Sequence, residues 1–267
     1  MQAQRLPAQR GVAWLVEGFR LFRRNPPLIT SLTLLYLMLV QGMAVLLPGI
    51  GPILLPLVLP ALTLIVANGC RLVDEGKQPG KATLLQGLLG NGPAMLRLGG
   101  LQLLGAVLLV LVNTLINDGV DPLAGLDAAP GMGGDDGAPA DPAAEVAMLN
   151  ALMRLMLLAM PLILAFWFAP FLVGWDRISP FKAVFFSVVA SWRNLRPMAM
   201  FGVAAVLVAG VVPGFILILA SQIAGASVGA AFMAMRMVLI FLVAPVLTAS
   251  VYISYRDIFH PGVDESV

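Results

Sequence analysis

Cysteine and histidine are almost missing from this chain, in which Cys70 and His260 each stand alone. One cysteine excludes an intrachain disulfide and a cysteine-rich metal site. One histidine, beside Pro261 in the C-terminal tail, cannot assemble the ligands of a hydrolytic zinc centre. It also leaves no second imidazole to activate a serine nucleophile. A Gly-x-x-x-x-Gly-Lys-Ser/Thr phosphate loop is absent as well. We therefore expect no catalytic residues, no metal, no cofactor and no enzymatic activity belonging to this chain alone.

Charge is the next scarcity. Only 11% of the 267 residues are charged and 60% are apolar, with a mean hydropathy of +0.94. Such a chain has too little polar surface to cover a soluble globule of its size, so it is an integral membrane protein. The sequence pI of about 9.0 does not indicate nucleic acid. Its basic residues sit in short groups beside apolar spans, and none forms the basic run with interleaved aromatics that single-strand binders use.

What the chain does have is apolar length. A membrane helix needs about 20 largely apolar residues, and the sequence offers six such runs. Residues 11–25 come first as an amphipathic helix, with Val12, Leu15, Val16, Phe19 and Phe22 on one side and Glu17, Arg20 and Arg24 on the other. It either lies in the membrane interface or caps the rest of the protein. Residues 28–72 read as a first hairpin of two spans around the Pro48-Gly-Ile-Gly-Pro52 turn, with Pro56 and Pro60 inside its second span. The first span has full length and no small-residue cleavage pattern, so we expect it to be retained.

A weaker surface helix is expected at 83–90, with Thr83 as its N-cap. Residues 95–175 form a second hairpin whose fourth helix carries Pro161 and Pro170. Between its spans lies an acidic stretch, 117–144, rich in Gly, Ala, Pro and Asp, which we read as a disordered linker. Asp135-Asp136-Gly137 lacks the ligand spacing of a calcium loop. A second strong surface helix spans 179–194, with Ser179 and Pro180 at its start and Phe181, Val184, Phe185, Val188 and Val189 on its apolar side. A third hairpin, 198–256, contains Pro213-Gly214 and Pro245, and 257–267 is a tail.

Lys and Arg placement near span ends sets orientation. Arg5, Arg10, Arg20, Arg23, Arg24, Arg71, Lys77, Lys81, Arg177, Lys182, Arg193, Arg196 and Arg256 all fall on one side, and the acidic stretch falls on the other. Both termini are expected in the cytoplasm, with 117–144 periplasmic. An internal repeat is also legible. Asn25, Asn91 and Asn194 each precede a span, and the following spans exit through Arg71-Leu-Val-Asp74, Trp175-Asp176-Arg177 and Tyr255-Arg256-Asp257.

Gly11-x-x-Trp14-x-x-x-Gly18-Phe19, Ala165-Phe166-Trp167-Phe168-Ala169-Pro170, Ser179-Pro180-Phe181-Lys182-Ala183 and Ser250-x-Tyr252-x-Ser254-Tyr255-Arg256-Asp257 carry a resemblance over nearly the whole chain. It resembles uncharacterised bacterial six-pass inner-membrane proteins. A fainter likeness is to the membrane domains attached to glycerophosphodiester phosphodiesterases. The resemblance implies fold and location and carries over no activity.

Arg154 and Arg236 are the candidate site residues. Each lies about twenty residues before the basic end of its helix, close to the other interface. They are either snorkelling anchors or the two cations of a pocket for an anionic group. Span prolines could open a central path as in broken-helix transporters. Few polar groups serve it, chiefly Gln41, Asn68, Gln102 and Asn113. The expected architecture is all-α: six transmembrane helices as three hairpins, with two or three amphipathic helices on the cytoplasmic side. The expected role is structural or accessory, toward the lipid bilayer, a protein partner or a homo-oligomer. The alternative is a small transporter or lipid-handling protein with a cavity between the hairpins.

Overall fold

Pro26 and Pro27 open the first span instead of breaking it, because the first turn of a helix has no partner for the N–H that proline lacks. Asn25 caps that turn, its side-chain oxygen accepting from the Leu28 N–H at 3.3 Å. The computed structural model describes residues 4–116, 142–224 and 228–260, and every regular element in them is helical. In order these are α1 (Arg10–Arg24), α2 (Pro26–Leu46), α3 (Gly51–Asp74), α4 (Lys81–Leu84), α5 (Gly92–Ile116), α6 (Pro142–Phe166), α7 (Ala169–Gly174), α8 (Pro180–Arg193), α9 (Leu195–Val206), α10 (Val212–Ala224), α11 (Val228–Val238) and α12 (Ala244–Phe259). A π-helical turn, Leu207–Val211, joins α9 to α10, and a second, Leu239–Val243, joins α11 to α12.

Six helical stretches are long and apolar enough to cross a membrane: Pro26–Leu46, Gly51–Asp74, Gly92–Ile116, Leu149–Gly174, Leu195–Leu219 and Gly229–Phe259. The acidic linker expected at 117–144 lies outside the described residues up to position 141. Packing is concentrated at the end where the basic residues gather. There α3 meets α1, α2, α5, α7 and α12, and α1 lies across α9 and α12. Trp14, Leu64, Leu98, Phe168, Phe171 and Ile258 are buried in this end. Toward the other end the helices present Val45, Leu46, Leu115, Ile116, Val211 and Phe215 outward. Lipid tails are as apolar as leucine, so such faces carry no penalty in a bilayer.

The two amphipathic helices divide their faces differently from the sequence expectation. On α1, Gly11, Trp14, Leu15, Gly18, Leu21 and Phe22 face the bundle, while Val12, Val16 and Phe19 are exposed. The reason is backbone approach: a Cβ on Gly11 would meet the Pro197 carbonyl, and one on Gly18 would meet Ser250. Glycines seven residues apart mark the close face, and the larger side chains flank it. On α8 the buried stripe is Pro180, Ala183, Ser187, Ala190 and Ser191, and Phe181, Phe185, Val188 and Trp192 point outward. Ser179 holds the N-cap position with extended backbone, and no side-chain cap bond accompanies it.

The surface helix expected at 83–90 shrinks to the four residues of α4. Gly87 takes a φ of +82°, which ends any helix there, and a Cβ on it would strike the Gly174 carbonyl. Thr83 is not the N-cap. Its hydroxyl accepts from the Gly80 N–H at 2.9 Å and donates to the Gly80 carbonyl at 2.8 Å, from the third helical position after Gly80.

The fourth span breaks at Trp167–Phe168, between α6 and α7, and stays helical through Pro161. A proline at 170 excludes the carbonyl four residues back, and Ser187 of α8 stabilises the opening. Its hydroxyl accepts from the Phe168 N–H at 3.0 Å and donates to the Leu164 carbonyl at 2.8 Å, so it sits inside the hydrogen bond that those two residues would otherwise make. Pro213 and Pro245 act differently, each following a π turn that widens the helix before the ring. The Phe241 carbonyl, four residues before Pro245, accepts instead from the Thr30 hydroxyl at 3.4 Å.

Candidate functional site

Three aspartates terminate the second, fourth and sixth spans, and each binds an aromatic donor from another element. Asp74, at the end of α3, accepts from the Tyr252 hydroxyl of α12 at 2.9 Å. Asp176, just past α7, accepts from the Tyr255 hydroxyl, also of α12. Asp257, in the last turn of α12, accepts from the Trp14 indole of α1 at 3.0 Å. Tyr252 and Tyr255 are neighbours on the helix surface because three residues make nearly one turn.

Cations complete the network. Arg256 reaches Asp74 at 2.9 Å, Glu17 at 3.0 Å and Asp257 at 3.5 Å, which joins α1, α3 and α12 through one guanidinium. Arg10 pairs with Asp257 and, at 3.3 Å, with Glu17. Arg24 lies 3.4 Å from Asp74, and His260 lies 3.6 Å from Asp176. Beyond the end of α3, Glu75 holds Lys77 at 2.6 Å and Arg71 at 2.7 Å. Those two cations, Lys77 foremost, keep its carboxyl below the ordinary carboxylate value.

An aromatic layer backs these charges. Trp175 stacks on Phe171 at 5.2 Å, and Tyr255 meets Phe168, Phe171, Trp175 and Phe259. The Arg71 guanidinium lies 5.2 Å over the Trp175 ring. The Trp175 indole donates to the Asn68 side-chain oxygen at 2.7 Å, and the Asn68 amide donates to the Leu84 and Gln86 carbonyls at 2.8 and 2.9 Å. This asparagine therefore ties α3, α7 and the turn after α4 together. Arg71, Asp74, Glu75, Trp175, Asp176, Tyr252, Tyr255, Arg256 and His260 surround a cavity of about 350 Å³ open at the charged end.

A probable inner membrane protein of Burkholderia thailandensis is 32% identical over 270 residues, covering 99% of this chain and 96% of the relative. This chain belongs to its family. The family is one of uncharacterised, six-pass bacterial inner-membrane proteins. No family model matches the chain, so the fainter likeness to phosphodiesterase-attached membrane domains gains no support. No solved structure matches it either.

Arg154 and Arg236 lie on α6 and α11, both exposed, and no hydrogen bond or ion pair among the described residues joins them. Neither lines the cavity. The residues that do converge are the exit motifs read as topology signals, together with Trp14, Tyr252 and Tyr255. The spacing of Tyr252, Tyr255 and Arg256 at three and four residues was the available signal for a shared helix face. Nothing in the sequence marked Trp14 as a partner for Asp257, 243 positions away. Among the described residues no group of three or more His, Cys, Asp or Glu is placed to hold a metal. A Gly-x-Ser-x-Gly sequence does occur at Gly225 to Gly229, its first three residues outside the described ones; the element before it is helix α10, whereas a nucleophile elbow follows a strand.

Proposed function

We propose that this inner-membrane protein has a non-enzymatic, accessory role, presenting a rigid cytoplasmic platform to a partner protein or to a second copy. The observation that carries it is the internal use of charge. Glu17, Asp74, Glu75, Asp176 and Asp257 are all held by donors from the protein itself, so none is poised as a base toward a substrate. Such a network, bonded at each member, gives a fixed shape. In this reading the charged end faces the cytoplasm and residues 117–144 face the periplasm. A reporter that fluoresces only in the cytoplasm, inserted between Gly131 and Gly137, should stay dark. The hairpin reading is supported by the packing of α2 on α3, α5 on α6 and α10 on α11, and the exit aspartates support a threefold repeat.

Pull-down of the full chain in mild detergent tests the role, and a stoichiometric partner or a stable homo-oligomer is the expected result. Monomers that move a solute or lipid across liposomes would instead support a transporter, the reading that the 350 Å³ polar cavity favours. Arg154 and Arg236 act in either case as anchors at the periplasmic interface or as an anionic-group site. Glutamine variants of both that insert and support every wild-type phenotype would remove the second role.

A further inference from the structure

A second groove, about 670 Å³, runs between the N-terminal segment and the junction of α8 with α9, lined by Arg5 to Ala8, Trp192, Arg193 and Leu195 to Pro197. We propose that it binds the phosphate of an anionic phospholipid, with the acyl chains lying along the outer stripe of α8. Three arginines, Arg5, Arg193 and Arg196, line the groove, and among the described residues no carboxylate is in its walls. They differ in this from Arg10, Arg24, Arg71 and Arg256, which all pair with acids.

The groove is built by buried bonds. Asn194 is fully buried; its side-chain oxygen accepts from the Leu6 N–H at 2.9 Å, and its amide donates to the Gln4 carbonyl at 2.8 Å and the Ala190 carbonyl at 2.9 Å. The Gln4 N–H donates to the Ile258 carbonyl at 3.0 Å. Two attachments thus hold the N-terminal segment in place, with Arg5 lining the same groove as Arg193 and Arg196.

An apolar track leads into it. Phe181, Phe185, Val188 and Trp192 recur at helical spacing along one exposed face of α8, and Trp192 is 71% exposed at the lip of the groove. A ligand that satisfies both features carries negative phosphate at one end and hydrocarbon at the other. Free phosphate satisfies only the arginines. Guanidiniums suit phosphate because their planar forks bond two oxygens at once, and indoles favour the headgroup level of a bilayer.

The test measures thermal stability of the full chain in uncharged detergent as phosphatidylglycerol, phosphatidylcholine or inorganic phosphate is added. Wild type should be stabilised by phosphatidylglycerol alone. The double variant Arg193→Gln/Arg196→Gln should need about tenfold or more phosphatidylglycerol for the same shift. Arg20→Gln/Arg23→Gln, equal in lost charge and placed on the outer side of α1, should respond like wild type. If the two double variants lose the response equally, the effect is bulk charge and the groove is not the site. Equal stabilisation by phosphatidylcholine or by inorganic phosphate overturns the anionic phospholipid assignment. Should the groove variant fail to fold, Arg5→Gln alone, outside any helix, decides: an unchanged response to phosphatidylglycerol overturns the proposal.

Discussion

The indole N–H of Trp14 donates to the carboxylate of Asp257 at 3.0 Å, and both residues are buried. One bond thus fastens the first helix of the chain to the last turn of the sixth span. Helix α1 is consequently part of the bundle's closure, and its outward residues Val12, Val16 and Phe19 are left for lipid.

Arg256 should matter more than any other surface cation. Its guanidinium bridges Glu17, Asp74 and Asp257, and Arg256→Gln leaves only Arg10 for Glu17 and Asp257 and the longer Arg24 contact for Asp74. A fully buried pair broken in this way costs about 3–5 kcal/mol, and partial exposure reduces the expectation to roughly 1–3 kcal/mol. Reversible unfolding in mixed detergent measures it. A variant as stable as wild type would mean that the network is decorative.

Ser187→Ala should destabilise although it deletes a single oxygen. The Phe168 N–H loses its partner in a buried setting, while the Leu164 carbonyl retains Ser191 at 3.3 Å. Leaving a buried donor unsatisfied costs about 1–3 kcal/mol. The same unfolding measurement applies, and a change below about 0.5 kcal/mol, the usual range of surface substitutions, would show that the break in the fourth span closes without the serine.

Gly18→Ala tests the closeness of α1 to α12. The new methyl group would overlap the backbone of Ser250, a part of the structure that cannot rotate away. Overpacking of this sort costs about 1–3 kcal/mol. Gly42 in α2 has nothing within 4 Å of an added Cβ, so Gly42→Ala should be neutral or slightly stabilising.

Stability near the end of α3 should depend on pH through Glu75. Its carboxyl is held below its ordinary value of 4.5, by Lys77 and then Arg71. Because the folded value is the lower one, the contribution is complete above the unfolded value and disappears as pH falls through the folded value. The difference between wild type and Glu75→Gln should therefore be constant near neutrality and vanish in acid. The pair is partly exposed, so the difference is small and shrinks further in salt. A difference that grows on acidification would contradict the ion-pair assignment.

Composition alone determined that the chain lives in a membrane, because no folding of 60% apolar residues could hide them from water. Run length indicated six helices long and apolar enough to cross a membrane, since a bilayer of fixed thickness demands a minimum helix length. The amphipathic character of 11–25 and 179–194 was equally legible, being a property of one helix. Which face of each helix meets protein was not. Periodicity weighs apolar side chains, whereas close packing selected the glycines of α1 and the small residues of α8, and in lipid both faces of a helix can be apolar. The same limit applies to the polar end. Asp74, Asp176 and Asp257 each look like an ordinary span terminus in sequence. Tertiary structure alone decided that Tyr252, Tyr255 and Trp14 would be their donors, because partners up to 243 positions apart leave no local pattern to read.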